Sequence, residues 1–475
     1  MNAQNLSTWK ESEGHAGSWW PAERRELIFE GVLEFEDRRP KLTLMSPLIG
    51  QRIFNLAHAQ VVHGELESGE KVTLWDLGGH VLEFLGNEHD TMKTARRFTY
   101  AILGAHLETY EEERFRYSAY TLHGLGVWSG MDTPIPRSLS REDLPQYEPA
   151  HLKSFERDES GVEYSAKVYI ENPRRLEADA RFPEGAVVAH TGDDARVVFE
   201  CDPPAPAQIH DMLLFDLQAL LTFSYQGGAP LQAEWLASED LDQALPVMRW
   251  DSFTGRRPTG HVFRQSMILD TARVDPTVLF PAWWNAVEKL YPAPQVVTLY
   301  HHGSRGILES SVSSVIAVAE HLHGQIGPTL TRFPEGYLES KKGPLKETFP
   351  SPEDAPFREF LYQALKNNRP TLSTRLNELA SAVTSERLEL MTISAHQWIA
   401  DVRKVRDILA HTSSHVTRRG GDGDSSLLDR VNSQTRAIVT ILILKQMGIE
   451  EAALDRAAMA LSTELKRFTI EGTNT

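Results

Sequence analysis

Residues 385–411, SERLELMTISAHQWIADVRKVRDILAH, carry the reading that decides the fold of the C-terminal half. Trp398, Val402, Val405 and Leu409 recur at i, i+4, i+7 and i+11, which places them on one helix face with the charges on the other. The spacing predicts a long helix from about Ser385 to Ala410 with that stripe buried. The same period extends in both directions. Upstream, Ile307, Leu308, Val312, Val315, Ile316, Ala319 and Leu322 share a face that ends at Gly324 and Gly327-Pro328. Phe357, Phe360, Leu361, Ala364 and Leu365 form a second stripe after Pro356, and Leu372, Leu376, Leu379 and Val383 form a third. Downstream of the polar loop Arg418 to Ser426, one helix carries Leu428, Val431, Ile438 and Ile441. Another carries Leu454, Leu461, Leu465 and Phe468. From about Phe280 onward the chain reads as an all-α bundle.

Toward the N-terminus the period falls to two. Phe29, Gly31, Leu33 and Phe35 alternate with mostly polar neighbours, and Leu42 and Leu44 follow the turn Asp37-Arg38-Arg39-Pro40, a hairpin pattern. Similar runs recur at Lys71–Trp75, Val81–Leu85, Phe98–Leu103, Phe115–Leu122, Val162–Ile170 and Ala195–Cys201. These predict an antiparallel sandwich or barrel, interrupted by a helix over Ile209–Tyr225. The fold class expected is therefore α+β, with an antiparallel β domain over residues 1–275 and a helical bundle over 276–475. Trp19-Trp20 and Trp283-Trp284 read as core or domain-interface residues.

Composition narrows the function. The chain has 475 residues with 49 Lys plus Arg against 66 Asp plus Glu, a net charge of −17, so as a whole it repels nucleic acid and anionic membranes. Any nucleic-acid site must be a local exception. The single cysteine, Cys201, excludes an intrachain disulfide framework and any zinc site needing two thiolates. Met1 to Trp20 holds no apolar core segment, so no secretory signal is expected. The run Ala437–Leu444 is far shorter than the ~20 residues that span a bilayer. A cytoplasmic protein without membrane contact is expected.

No G-x-x-x-x-G-K-[ST] loop, G-x-S-x-G elbow or H-E-x-x-H helix occurs, and Gly126-Val127-Trp128-Ser129-Gly130 only approximates an elbow. What remains is Arg-x4-His, present at Arg256–His261 and at Arg406–His411. Pro258 and Gly260 make the first a turn, whereas the second ends the strongly periodic helix. On an ideal helix Arg406 and His411 lie about 140° apart, while Asp407 and His411 share a face. Residues 401–419 hold Arg403, Lys404, Arg406, Arg418 and Arg419 against Asp401 and Asp407, a local excess of three positive charges. This is the exception that the acidic total requires.

Other readings fit the same residues. The charges suit a solvated helix face, and His411 and His415, with Asp407, fall on one helix face as metal ligands would. Glu320-His321-Leu322-His323 reads as a polar face whose Glu320 is a candidate to line the site.

The motif Arg406-Asp407-Ile408-Leu409-Ala410-His411 on a late bundle helix resembles the R-[polar]-x3-H signature of HEPN-superfamily ribonucleases. The whole arrangement resembles the ApeA anti-phage defence proteins. Ser18-Trp19-Trp20-Pro21 followed by Leu27 to Leu33 looks like the opening of their N-terminal β domain, and Val312 to His323 like their first HEPN helix. The chain has Asp407 where the superfamily most often has Asn, which keeps a polar partner for the histidine and adds negative charge beside an RNA phosphate. The resemblance implies an endoribonuclease that needs no metal or other cofactor and acts as a homodimer through the HEPN domain in abortive infection. Arg406, His411 and Asp407 would be catalytic, and Arg403, Lys404, Arg418 and Arg419 would bind RNA, a tRNA loop being plausible by analogy. A phage-derived trigger would act at the N-terminal domain. The alternatives are an inactive HEPN sensor and a metal-dependent hydrolase built on His411 and His415.

Overall fold

The computed structural model describes residues 14–36, 38–45, 59–77, 82–85, 93–111, 113–131, 147–157, 161–171, 195–249, 264–299, 308–328, 331–366, 368–411 and 422–471. The chain divides into two compact units, one over Met1–Asn285 with His301–Ser304, the other over Ala286–Tyr300 and Arg305–Thr475.

The first unit is an antiparallel sheet. Its strands are β1 His15–Pro21, β2 Phe29–Glu36, β3 Arg39–Leu44, β4 Val61–Leu66, β5 Lys71–Trp75, β6 Leu82–Leu85, β7 Lys93–Arg97, β8 Tyr100–Leu103, β9 Arg114–Leu122, β10 Ala150–Arg157, β11 Glu163–Glu171, β12 Arg196–Pro206, β13 Leu231–Ala237 and β14 Leu245–Arg249. They hydrogen-bond in the order β10-β11-β12-β9-β13-β14-β8-β5-β4-β1-β2-β3-β7-β6. The alternation read from β2 is real: Phe29, Gly31, Leu33 and Phe35 are buried, and Glu30 and Glu36 are exposed. In place of two separate layers there is one sheet that curls. β3 touches β8 and β14, although four and five strands separate them in the order, and the turn residue Arg38 donates to the Gln232 carbonyl of β13 at 2.5 Å. The concave side holds Trp19, Leu33, Phe35, Leu42, Val62, Leu74 and Phe98, because strand twist lets the alternate side chains of successive strands converge there.

Helix α1, Leu125–Ser129, occupies the elbow-like motif, and Ser129 is buried with its hydroxyl donating to the Gly126 carbonyl at 3.2 Å. That serine is a structural residue. Helix α2, Ala207–Tyr225, packs on β9 and β12. The following α3, Pro276–Lys289, brings Trp283 against Phe223, with its indole N–H donating to the Asp216 carbonyl at 2.9 Å, and Trp284 against Phe199. Both tryptophans thus belong to the core of the first unit.

His210 on α2 is wholly buried. Its Nε2–H donates to the Phe115 carbonyl at 3.0 Å, which leaves Nδ1 to accept from the Ser118 hydroxyl at 2.9 Å. Burial pulls this imidazole down to about 4, against about 6.5 for a free histidine. Between those values the unfolded chain takes up a proton that the folded chain refuses. The stabilising effect of the neutral ring is therefore complete above pH ~6.5 and is lost by roughly 3 kcal/mol as the pH falls to about 4. Urea unfolding followed from pH 7 to 4.5 should show this decline, and His210→Gln, which retains a donor and an acceptor, should flatten it. An unchanged slope in the variant would exclude His210 as its source.

The second unit is helical: α4 Ala293–Leu299, α5 Leu308–Ile326, α6 Tyr337–Thr348, α7 Ala355–Lys366, α8 Leu372–Val383, α9 Ser385–Leu390, α10 Ala395–His411, α11 Asp422–Gln446 and α12 Glu451–Glu471. The core is built where α5, α8, α10 and α12 pack on α11, whose Ala437–Leu444 segment is buried. Among the described residues no helix is long and apolar enough to cross a membrane.

Three features depart from the sequence reading. The long helix expected over 385–410 is broken into α9 and α10: Thr392 takes a positive φ of 59°, and the Ser394 hydroxyl accepts from the Gln397 N–H to start a new helix. The α7 stripe is not a core stripe. This helix packs on α6, and Phe357 and Phe360 stay 47% and 65% exposed. Helix α6 itself has no apolar period and went unanticipated.

Candidate active site

Helix α10 is held by Trp398, Val402 and Val405, all fully buried, with the Trp398 indole N–H donating to Thr435 Oγ1 of α11 at 3.0 Å. Asp401 is buried beside them, accepting from Gln397 at 2.8 Å and paired with Arg430 at 2.9 Å. Its charge is therefore balanced from α11, which leaves the positive residues of α10 less compensated than the sequence count suggests. The fourth member of the predicted stripe, Leu409, is only half-buried, because it faces a pocket.

That pocket, about 560 Å³, is lined on α5 by Ser313, Ile316, Ala317, Glu320 and His321, which fall on one helix stripe. Arg369, Arg375 of α8, and Arg406, Leu409 and Ala410 of α10 complete it. Glu320 lies between two arginines: its Oε2 is 2.6 Å from Arg375 Nη1 and its Oε1 is 3.5 Å from Arg406 Nη2. The two contacts differ in kind. Arg375 and Glu320 are mostly buried, at 14% and 17% side-chain exposure, whereas Arg406 is 50% exposed. A half-exposed pair at that distance is worth roughly 0–1 kcal/mol, so Arg406 remains available to an incoming anion. Arg375 is a fixed charge behind it, with a buried Nε that makes no hydrogen bond.

The structure sorts the candidate residues. Glu320 and Arg406 come together in the pocket. Arg403, Lys404 and Asp407 are exposed on α10. Arg403 is about one turn before Arg406 on α10. His411 is the last residue of α10, one position past Ala410 of the pocket wall. His415, Arg418 and Arg419, and the first Arg-x4-His at Arg256–His261, lie outside the described residues. The Glu320–His323 segment is not a uniform polar face. Glu320 and His321 face the pocket, Leu322 is core, and His323 is buried against Glu378 of α8 at 2.7 Å.

Sequence reading missed His321, Arg369 and Arg375. Arg375 directly precedes the stripe residue Leu376, and nothing in its spacing shows that a carboxylate on another helix meets it. Among the described residues no three His, Cys, Asp or Glu side chains gather as metal ligands.

The first unit has polar clusters of its own, and their charges are paired within it. Arg249 pairs with Asp211 at 2.6 Å and Glu234 at 2.9 Å, and Asp211 accepts from the Tyr100 and Tyr110 hydroxyls, tying α2 to the sheet. Cys201 lies 4.0 Å from His210, but burial pushes its thiol up to about 12 while the histidine stays neutral. The thiolate needed for nucleophilic chemistry does not form near neutral pH.

Residues 14–266, more than half of the chain, match the family described as ApeA N-terminal domain 1, and residues 314–453 match that described as Apea-like HEPN. Comparison with curated proteins and with solved structures gives no match.

Proposed function

We propose that this chain, which belongs to the ApeA family and carries an ApeA-like HEPN domain, is an anti-phage defence endoribonuclease whose HEPN bundle cuts RNA without a metal. An ApeA-like HEPN domain supports a nuclease-type role in defence, and such domains commonly dimerise and bind RNA. The observation that carries the finer reading is Arg406: half-exposed in a pocket with Arg369 and Arg375, five residues before His411.

RNA cleavage by its own 2′-hydroxyl needs a base for that proton, a cation for the charge building on the phosphate, and an acid for the leaving 5′-oxygen. A histidine with a pKa near ~6.5 serves as base or acid at neutral pH, and an arginine fork binds two phosphate oxygens at any physiological pH. In this reading Arg406 binds the phosphate, His411 moves the proton, and Asp407, one helical turn away, holds the imidazole tautomer. Arg403, Lys404, Arg418 and Arg419 track the RNA backbone. Because Arg406 and His411 diverge by about 140° on a helix, two copies related by a two-fold axis would supply a more convergent set, so the active form is a homodimer through the bundle. The β unit, which extends past the residue 275 expected from sequence to Asn285 and takes in His301–Ser304, senses a phage component or restrains the bundle.

Purified chain incubated with total RNA in EDTA should generate fragments ending in 2′,3′-cyclic phosphate and leave DNA intact, because DNA lacks the attacking hydroxyl. Abolition by EDTA would overturn the metal-free mechanism in favour of His411 and His415 as metal ligands. A species that is monomeric by light scattering and still cleaves would overturn the dimer.

A further inference from the structure

We propose that the stacked rings of Phe333 and Tyr337 form a platform for an unpaired base of single-stranded RNA whose backbone runs into the Arg406 pocket; this rests on the nuclease reading above. The two rings lie 5.1 Å apart, 16° from parallel, ahead of and at the start of α6. The Tyr337 N–H bonds the Pro334 carbonyl at 3.1 Å, and Gly336 takes a φ of 77°, so Pro334–Tyr337 is a tight turn of the kind that requires glycine at its third position. The turn folds Tyr337 back on Phe333 and leaves it 41% exposed. Core formation does not explain a tyrosine held so far into solvent on the partly buried Phe333.

Charge is distributed around the rings in the way a nucleotide would use it. The Arg332 guanidinium is 5.2 Å from the Phe333 ring centre, and Lys341 Nζ is 4.9 Å from that of Tyr337. Both cations are exposed on flexible stems, as is the turn residue Glu335, and Glu339 on α6 is paired with Lys342, so Arg332, Glu335 and Lys341 leave one net positive charge beside the rings. A base has a π face that can replace either cation on a ring, and the displaced cation can then swing to the flanking phosphate. An apolar protein segment would offer those cations nothing.

The platform is also fastened to the pocket. Asn368 clasps Phe333 from both sides, its Nδ2 donating to the Phe333 carbonyl at 3.0 Å and its Oδ1 accepting from the Phe333 N–H at 2.8 Å. The Arg332 N–H donates to the Asn368 carbonyl at 2.7 Å. The next residue, Arg369, lines the pocket with Arg375 and Arg406. Stacking surface and phosphate-binding arginines are thus joined through one residue step. Bases within a duplex expose only their edges, so this arrangement selects single strands, loops or bulges.

The test uses the full chain and a fluorescein-labelled 2′-O-methyl oligonucleotide of roughly twelve nucleotides, which cannot be cut, as a single strand and as a blunt duplex of the same sequence. Tyr337→Ala should weaken single-strand binding by about tenfold, Tyr337→Trp should restore it, and duplex binding should not change. Cleavage of an unmodified strand by the same proteins scores the nuclease reading separately. Wild type that cleaves, with Tyr337→Ala binding the single strand equally well, overturns the platform alone. Wild type that neither binds nor cleaves overturns both, and equal loss on single strand and duplex overturns the stacking assignment.

Discussion

Arg406→Ala should reduce RNA cleavage by about 10²- to 10³-fold, the usual cost of removing one preorganised donor from a transition state that gathers negative charge. The bundle should stay folded in this variant. Arg406 is half-exposed and its contact with Glu320 is long, at 3.5 Å, while the packing of α10 rests on the fully buried Trp398, Val402 and Val405. Arg406→Lys should be severely impaired as well, since a point charge cannot reproduce the two-pronged grip of the guanidinium. His411→Ala should lose about 10²- to 10⁴-fold as general acid–base help disappears. Phage-dependent growth arrest, melting temperature and cleavage of labelled RNA would be measured on the same proteins. An Arg406→Ala chain that is folded and cleaves at the wild-type rate would sink the proposed site.

Asp76→Ala should destabilise the first unit by about 3–5 kcal/mol, a large share of the ~5–15 kcal/mol that holds a typical domain together. Asp76, next to β5, meets Arg96 of β7 at 2.8 Å, and the two side chains are 2% and 1% exposed. Arg96 also donates to the Ala59 carbonyl at 2.8 Å and lies 4.6 Å from the Phe98 ring centre. Burial pulls the Arg96 guanidinium below its usual range, and the neighbouring Asp76 offsets that pull. Without the carboxylate a buried cation loses its counter-charge. The double change Asp76→Leu/Arg96→Met should recover much of the loss, because an apolar pair of similar volume escapes the desolvation cost. Chemical denaturation of the two variants decides the matter, and an Asp76→Ala chain within about 0.5 kcal/mol of wild type would show that the pair is not a structural clasp.

The sequence by itself determined where each period holds. Alternation at Phe29–Phe35 and a 3.6-residue stripe at Trp398–Val405 report which side chains must leave water, and burial bears out both. It also singled out Arg406–His411, because a six-residue motif is a local property of one helix. Only the tertiary structure decided how the sheet curls, why the 385–411 segment breaks at Thr392, and that Phe357 and Phe360 face solvent although their spacing matches a core stripe. A stripe states that a face is apolar and leaves open which element covers it. The pocket was legible only in part, at Arg406 and Glu320: Glu320, Arg375 and Arg406 are distant in sequence, and their meeting depends on α5, α8 and α10 packing side by side. Charge complementarity between helices has no period to read, so the arginines around Arg406 became visible only once the bundle had brought them together.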